Sequence, residues 1–168
     1  RGANVNGWHF QLTNPVFQDE WVRRAISLAF DRNAYDRARN AGDNEHADGP
    51  FSNSPIPWPF LFDEYPTGAA NGQWYQHDPA RASALMQAAG YSTSSPLEFE
   101  LLSYYLTESF PLQVIPSINE HLSEVRISYR ELEQQQYVDH LSNRDFPSAI
   151  GIVWGPPGYG IDQWIYPW

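Results

Sequence analysis

Between Leu97 and Trp154 the apolar residues change spacing four times, and this alternation constrains the fold more than any other feature of the chain. Leu97 to Tyr104 reads as a strand. A helix follows between Pro111 and Val125, carried by Ile115, Ile118 and Leu122, with Pro116 either starting its regular part or kinking it. Ile127, Tyr129 and Leu132 mark a second strand, and Tyr137, Val138 and Leu141 a second helix. Ala149-Ile-Gly-Ile-Val-Trp154 is a nearly continuous apolar run, as expected of a strand covered on both faces. Strand, helix, strand, helix, strand predicts an α/β sheet with at least some parallel pairing.

Upstream, Trp8, Phe10 and Leu12 alternate with His9 and Gln11, a period-two signal ended by Asn14-Pro15. The predicted mixed sheet is therefore Val5–Thr13, Leu97–Tyr104, Arg126–Leu132 and Ser148–Trp154, with helices around it. Phe17 to Arg32 reads as a helix whose stripe is Trp21, Val22, Ala25, Ile26 and Ala29, with Asp19 and Glu20 in its first turn. Asp31 then caps a short second helix to about Asn40. Residues 43–77 hold Pro50, Pro55, Pro57, Pro59 and Pro66, a long irregular segment of the kind that is functional or pinned against a neighbour. Asp78-Pro79 starts another helix by the rules of capping, Gly90 ends it, and Ala82, Leu85, Met86 and Ala89 form its apolar face.

The 168 residues suffice for one domain with a core. The net charge of −10 argues against nucleic acid, since phosphate binding needs clustered cations and the ten basic residues, all Arg, are scattered. Seven Trp and ten Tyr either fill a core or line a cleft. No apolar run of transmembrane length occurs, and Cys is absent, which fits an exported protein as well as a cytosolic one.

Catalytic signals are poor. No nucleophile elbow, P-loop, zinc-protease helix or dinucleotide fingerprint is present. His9, His46, His77, His121 and His140 lack ligand spacing, so we read them as surface or core residues and expect neither metal nor cofactor. Glu98 and Glu100 imitate a carboxylate pair, but alternation on a half-exposed strand explains them more simply. Gly155-Pro-Pro-Gly-Tyr-Gly160 reads as a shaped loop.

Phe17, Asp19, Val22, Arg23, Ala25, Ile26, Ala29, Asp31 and Arg32, with Asn14-Pro15-Val16 just upstream, form one spaced pattern. His77, Asp78, Pro79, Ala82, Leu85, Met86, Ala89, Gly90 and Tyr91 form a second. Together and in this order they resemble the C-terminal lobe of the family 5 solute-binding proteins, the extracytoplasmic receptors of ABC importers. The resemblance implies that residues 1–168 are a single α/β lobe of a periplasmic-binding-protein-like (type II) fold, part of a larger two-lobe protein. It implies a periplasmic or extracellular receptor, free or lipid-anchored in the parent protein, that captures a small solute for a membrane permease and performs no chemistry. The pattern residues themselves are capping and packing positions.

Ligands of open α/β sheets bind beyond the carboxyl ends of the strands, where Trp154 and its successors lie. Peptide-binding relatives commonly show Trp-x-x-Asp-Tyr here, the acid pairing the peptide's α-ammonium group. This chain has Trp154-Gly-Pro-Pro-Gly-Tyr159, one residue longer and with Gly158 where the acid would fall, leaving Asp162 as the nearest carboxylate. Trp154, Tyr159, Asp162 and Trp164 are the candidate ligand-binding residues, for an oligopeptide or a saccharide held by stacking. Two other readings remain: a saccharide hydrolase, from the aromatic content and scattered acids, and an interaction module using the Pro50–Pro66 loop. Exposed Trp and Tyr on the isolated chain would favour self-association.

Overall fold

A computed structural model describes residues 5–35, 74, 76–104 and 109–154. Four strands, β1 (Val5–Phe10), β2 (Leu97–Tyr104), β3 (Val125–Leu132) and β4 (Ala149–Trp154), form one sheet in the order β1-β4-β2-β3. β2 pairs parallel with β3 and with β4, whereas β1 runs antiparallel to β4, with Val5 opposite Trp154. The helices are α1 (Pro15–Gln18), α2 (Glu20–Ala29), α3 (Pro79–Ala88), α4 (Ser109–His121) and α5 (Gln134–Asn143). The fold is thus α/β with a mixed sheet.

Side-chain alternation sorts the core onto two faces. Leu97, Phe99, Leu101, Val125, Ile127 and Ala149 pack with α1 to α4 on one face. Leu102, Tyr104, Leu132 and Ile150 pack with Tyr137 of α5 and Phe146 on the other. Ala149 and Ile150 are both fully buried, which is why β4 reads as a continuous apolar run. On the face that α5 covers only partly, Glu98 and Glu100 pair with Arg126 (3.1 Å) and Arg130 (2.8 Å) of β3, a cross-strand arrangement of half-exposed charges.

The first strand ends at Phe10, short of the predicted Thr13. Asn14 N–H bonds the Gln11 carbonyl (3.1 Å) and turns the chain, leaving Leu12 55% exposed. The segment Phe17–Arg32 is not one helix: it breaks at Asp19, whose backbone is extended (φ −68°, ψ 112°). Two caps compete for one stretch of chain. Asn14 Oδ1 accepts from Val16 N–H (3.1 Å) with Pro15 in the first turn, and Asp19 Oδ1 accepts from Trp21 N–H (2.8 Å). Arg23 bridges the break by donating to the carbonyls of Phe17 and Gln18.

Trp21, predicted in the apolar stripe of α2, is 45% exposed, while Leu28 is fully buried. The Arg24 guanidinium covers the Trp21 ring at 4.7 Å, and Trp74 meets it edge-on at 5.8 Å. In α3 the punctuation acts as the residues suggest: Asp78 Oδ1 accepts from Arg81 N–H (3.0 Å). Gly90 adopts φ +92°, so that Gly90 N–H bonds the Gln87 carbonyl and Tyr91 N–H the Met86 carbonyl, both at 3.0 Å. α4 starts at Ser109, before Pro111, and runs through the exposed Pro116. Asp31 caps the helical turn after it through Ala34 N–H (2.8 Å); the rest of that predicted helix, His46 and the Pro50–Pro66 loop lie outside the described residues.

Candidate functional site

Because β2, β3 and β4 are parallel, Tyr104, Leu132 and Trp154 end on the same side of the sheet. A groove of about 530 Å³ opens there, lined by Tyr104, Glu131, Leu132, Glu133, Gln134 and Gln136. Its floor is fixed. Tyr104 stacks on Tyr137 (centroids 5.3 Å apart, planes 26° apart), and Tyr137 Oη donates to the Gly151 carbonyl of β4 at 2.8 Å. Burial, and secondarily the neighbouring Tyr104, push the Tyr137 phenol up to about 12, so it stays a neutral donor. The rim is different: among the described residues no hydrogen bond or ion pair engages the side chains of Glu131, Glu133 or Gln136.

A second cavity, of about 460 Å³, lies at the opposite end of β4, lined by Gln11, Thr13, Asn14, Pro15, Arg144, Asp145, Phe146 and Pro147. Its carboxamides are taken up by the fold. Gln11 Nε2 donates to the carbonyls of Arg144 (2.6 Å) and Phe146 (3.3 Å), and Asn14 Nδ2 to that of Pro147 (3.1 Å). Gln11 N–H bonds the Ser148 carbonyl at 2.7 Å. In the groove at the strand carboxyl ends, by contrast, the side chains of Glu131, Glu133 and Gln136 are open to a ligand among the described residues.

Of the residues predicted from the sequence, Trp154 closes β4 with its backbone paired to Val5, on the side of the sheet that bears the groove. Tyr159, Asp162 and Trp164 lie outside the described residues. Tyr104, Glu131, Glu133, Gln134 and Gln136, which line the groove, are not among the residues singled out from the sequence. The sequence does carry a signal for them, because the strand-end rule applies to every parallel strand and not to the last one alone.

The histidines are spread over the described structure. His9 is largely buried on β1, and desolvation lowers its pKa to about 4. His77 and His121 meet edge to face at 4.7 Å, with His77 Nδ1 3.6 Å from Asp31, and His140 Nδ1 lies 2.7 Å from Asp145. Among the described residues no group of three His, Cys, Asp or Glu could hold a metal ion, and no helix is long and apolar enough to cross a membrane. The groove offers carboxylates, carboxamides and an aromatic floor, a set suited to holding a polar solute.

The comparison with curated protein sequences gives no match. Solved structures do match. The Helicobacter pylori ABC transporter-associated periplasmic binding protein DppA, in complex with the peptide STSA, superposes with a TM-score of 0.77 at 16% identity, covering 99% of this chain and 30% of its own. Staphylococcus aureus NikA in complex with Ni(L-His)2 gives 0.73 at 17% identity, covering 99% and 33%. Haemophilus influenzae OppA in complex with RPPGFSPFR gives 0.70 at 16% identity, covering 92% and 30%. The chain thus spans about a third of the length of these proteins. The model of the bacterial extracellular solute-binding proteins, family 5 (middle), matches residues 1–168. The chain belongs to the family 5 bacterial extracellular solute-binding proteins.

Proposed function

We propose that the chain is one lobe of a two-lobe receptor that captures a peptide or a similarly polar small solute outside the cytoplasm and delivers it to an ABC permease. The observation that carries this reading is the contrast at the strand carboxyl ends. A rigid Tyr104–Tyr137 floor underlies Glu131, Glu133 and Gln136, whose polar ends are engaged by nothing else among the described residues. Half-built sites of this kind need a second wall, and a second lobe closing by a hinge motion would provide it. The solved relatives support the solute class, since their structures hold peptides or a nickel–histidine complex.

In this reading Trp154, at the end of β4, stacks against the solute, with Tyr159, Asp162 and Trp164 further along the chain. The lobe performs binding and closure and no bond chemistry. The test is mass spectrometry of small molecules co-purifying with the full-length protein, followed by calorimetry with what is found. A peptide or amino-acid complex that binds without being converted supports the proposal. Turnover of the bound molecule, or a full-length gene lacking both a second lobe and an export signal, overturns it.

A further inference from the structure

The sheet is narrowest in pairing at its centre. Among the described residues β2 and β4 pair at Leu101–Ala149 and Leu102–Ile150 and no further. On either side the ladders run on toward the carboxyl ends: β2 stays with β3 as far as Tyr104–Leu132, and β4 stays with β1 as far as Val5–Trp154. The residue of β4 next after the last pair is Gly151, and there a side chain takes over. Tyr137 of α5 donates its hydroxyl to the Gly151 carbonyl at 2.8 Å. The same ring stacks on Tyr104, the last residue of β2, with centroids 5.3 Å apart. One residue from a helix thus holds both halves of the sheet where their backbone ladder ends.

We infer that Tyr137 is a positioning residue for solute binding, fixing the carboxyl end of β4, which carries Trp154, relative to the Tyr104 floor of the groove; this role rests on the reading of the strand ends as the solute site. Tyr137 is 8% exposed and does not line the groove, so it acts through the residues it holds. The chemistry fits. A phenol combines a flat, stiff ring with one directional donor, and a buried hydroxyl has to keep its partner. Burial holds the phenol neutral far above physiological pH, so the donor is always present. A solute that meets two walls already at their working separation spends none of its binding energy on ordering them. Without the Tyr137 hydroxyl the end of β4 keeps β1 alone as its backbone partner beyond Ile150, and ordering it against Tyr104 falls to the solute.

The test uses the full-length protein, Tyr137→Phe, and Glu124→Gln as a control that loses stability at the opposite end of the sheet. The probe is an equimolar library of tri- to pentapeptides, from which the peptide the parent retains best is identified by mass spectrometry and titrated by calorimetry. Tyr137→Phe keeps the ring and loses the tie to Gly151. We expect its Kd to rise about tenfold, the scale of one lost hydrogen bond, with the stoichiometry unchanged. A merely structural role reads differently, since unfolding a fraction of the molecules lowers the stoichiometry and leaves the Kd of the folded ones alone. Glu124→Gln should keep the parent Kd. Hydrogen exchange gives a second readout: the amides of Ile152–Trp154 should exchange roughly fivefold faster in Tyr137→Phe, and those of Leu97–Leu101 at the parent rate. Parent affinity in a folded Tyr137→Phe overturns the inference and leaves the solute reading standing. An equal loss of affinity in Glu124→Gln overturns it as well, because lost stability then explains both. A parent protein that retains no peptide of the library counts against the solute class itself and takes the inference with it.

Discussion

The two ends of the sheet use similar residues to opposite effect. At the amino end of β2 and β3, polar side chains close on one another and on the backbone. Glu124, only 3% exposed, accepts from Ser83 Oγ (2.5 Å), Gln87 Nε2 (2.9 Å) and Ser123 Oγ (3.3 Å), tying α3 to the start of β3. At the carboxyl end Glu131, Glu133 and Gln136 stand on the rim of an open groove with no such partners among the described residues. A buried polar group has to be satisfied internally, whereas one kept at a strand end remains available to something from outside. The amino end is where the fold is fixed, and the carboxyl end is where we place recognition.

That division can be broken by substitution. The largest effect belongs to the fold side. Phe17 is 1% exposed and contacts Phe10 (4.9 Å) and Phe99 (5.1 Å), so Phe17→Ala should cost about 3–5 kcal/mol in urea unfolding. On the recognition side, Trp154→Ala in the full-length protein should weaken solute binding by about 1–3 kcal/mol, the scale of a well-packed aromatic contact. Calorimetry checks it, and unchanged affinity in a folded variant removes Trp154 from the site.

Glu124→Gln should lose roughly 1–3 kcal/mol, because it leaves buried donors poorly paired. Burial by itself would raise the Glu124 pKa, but the hydrogen bonds from Gln87, Ser83, the backbone and Ser123 outweigh it and the net direction is down. Its folded value therefore lies below its unfolded one. The stability it contributes is present above the unfolded carboxylate range and is lost as pH falls through the folded value. His9 acts in the same direction over a higher window. Between pH 6.5 and about 4 the unfolded chain takes up a proton that the buried imidazole refuses, so stability falls with pH there. Thermal melts should show a steep acid limb, and Glu124→Gln should flatten its lower part.

Tyr137→Phe should cost about 1 kcal/mol through the lost bond to Gly151. The parent's folded phenol titrates above its unfolded value of 10, so its stability should decline from pH 10 to about 12, and this variant should abolish that decline. The smallest effect is expected of Glu133→Gln. It should change stability by less than about 0.5 kcal/mol while shifting which solutes the full-length protein retains, a surface change that matters only if the rim recognises ligand.

Much of the fold was legible in the residues because the signals are local. Asp78-Pro79 and Gly90 bound α3 through contacts within a few residues of themselves, and Leu97–Tyr104 reads as a strand from its own spacing. The same locality explains the errors. Asn14 and Asp19 are both good caps five residues apart, and a spacing pattern does not reveal that both would be used, which splits the predicted first helix. Trp21 matches the apolar period of α2 but lies at the margin of the stripe, where Arg24 and Trp74 cover it. None of the groove's lining residues was singled out from the sequence, and Trp154 shares with them only the side of the sheet on which its strand ends.

By itself the sequence determined the α/β class, the family pattern and the position of the four strands, since periodicity, capping residues and glycine placement act over one or two turns of chain. Only the tertiary structure decided the strand order β1-β4-β2-β3, with β1 antiparallel at one edge. That order brings the ends of three separated strands together and sets Tyr137 against Gly151. It also decided which carboxylates are consumed and which are left open. Glu124 and Glu131 are alike as residues. What separates them is the contact of α3 with one end of β3 and the absence, among the described residues, of any such contact at the other.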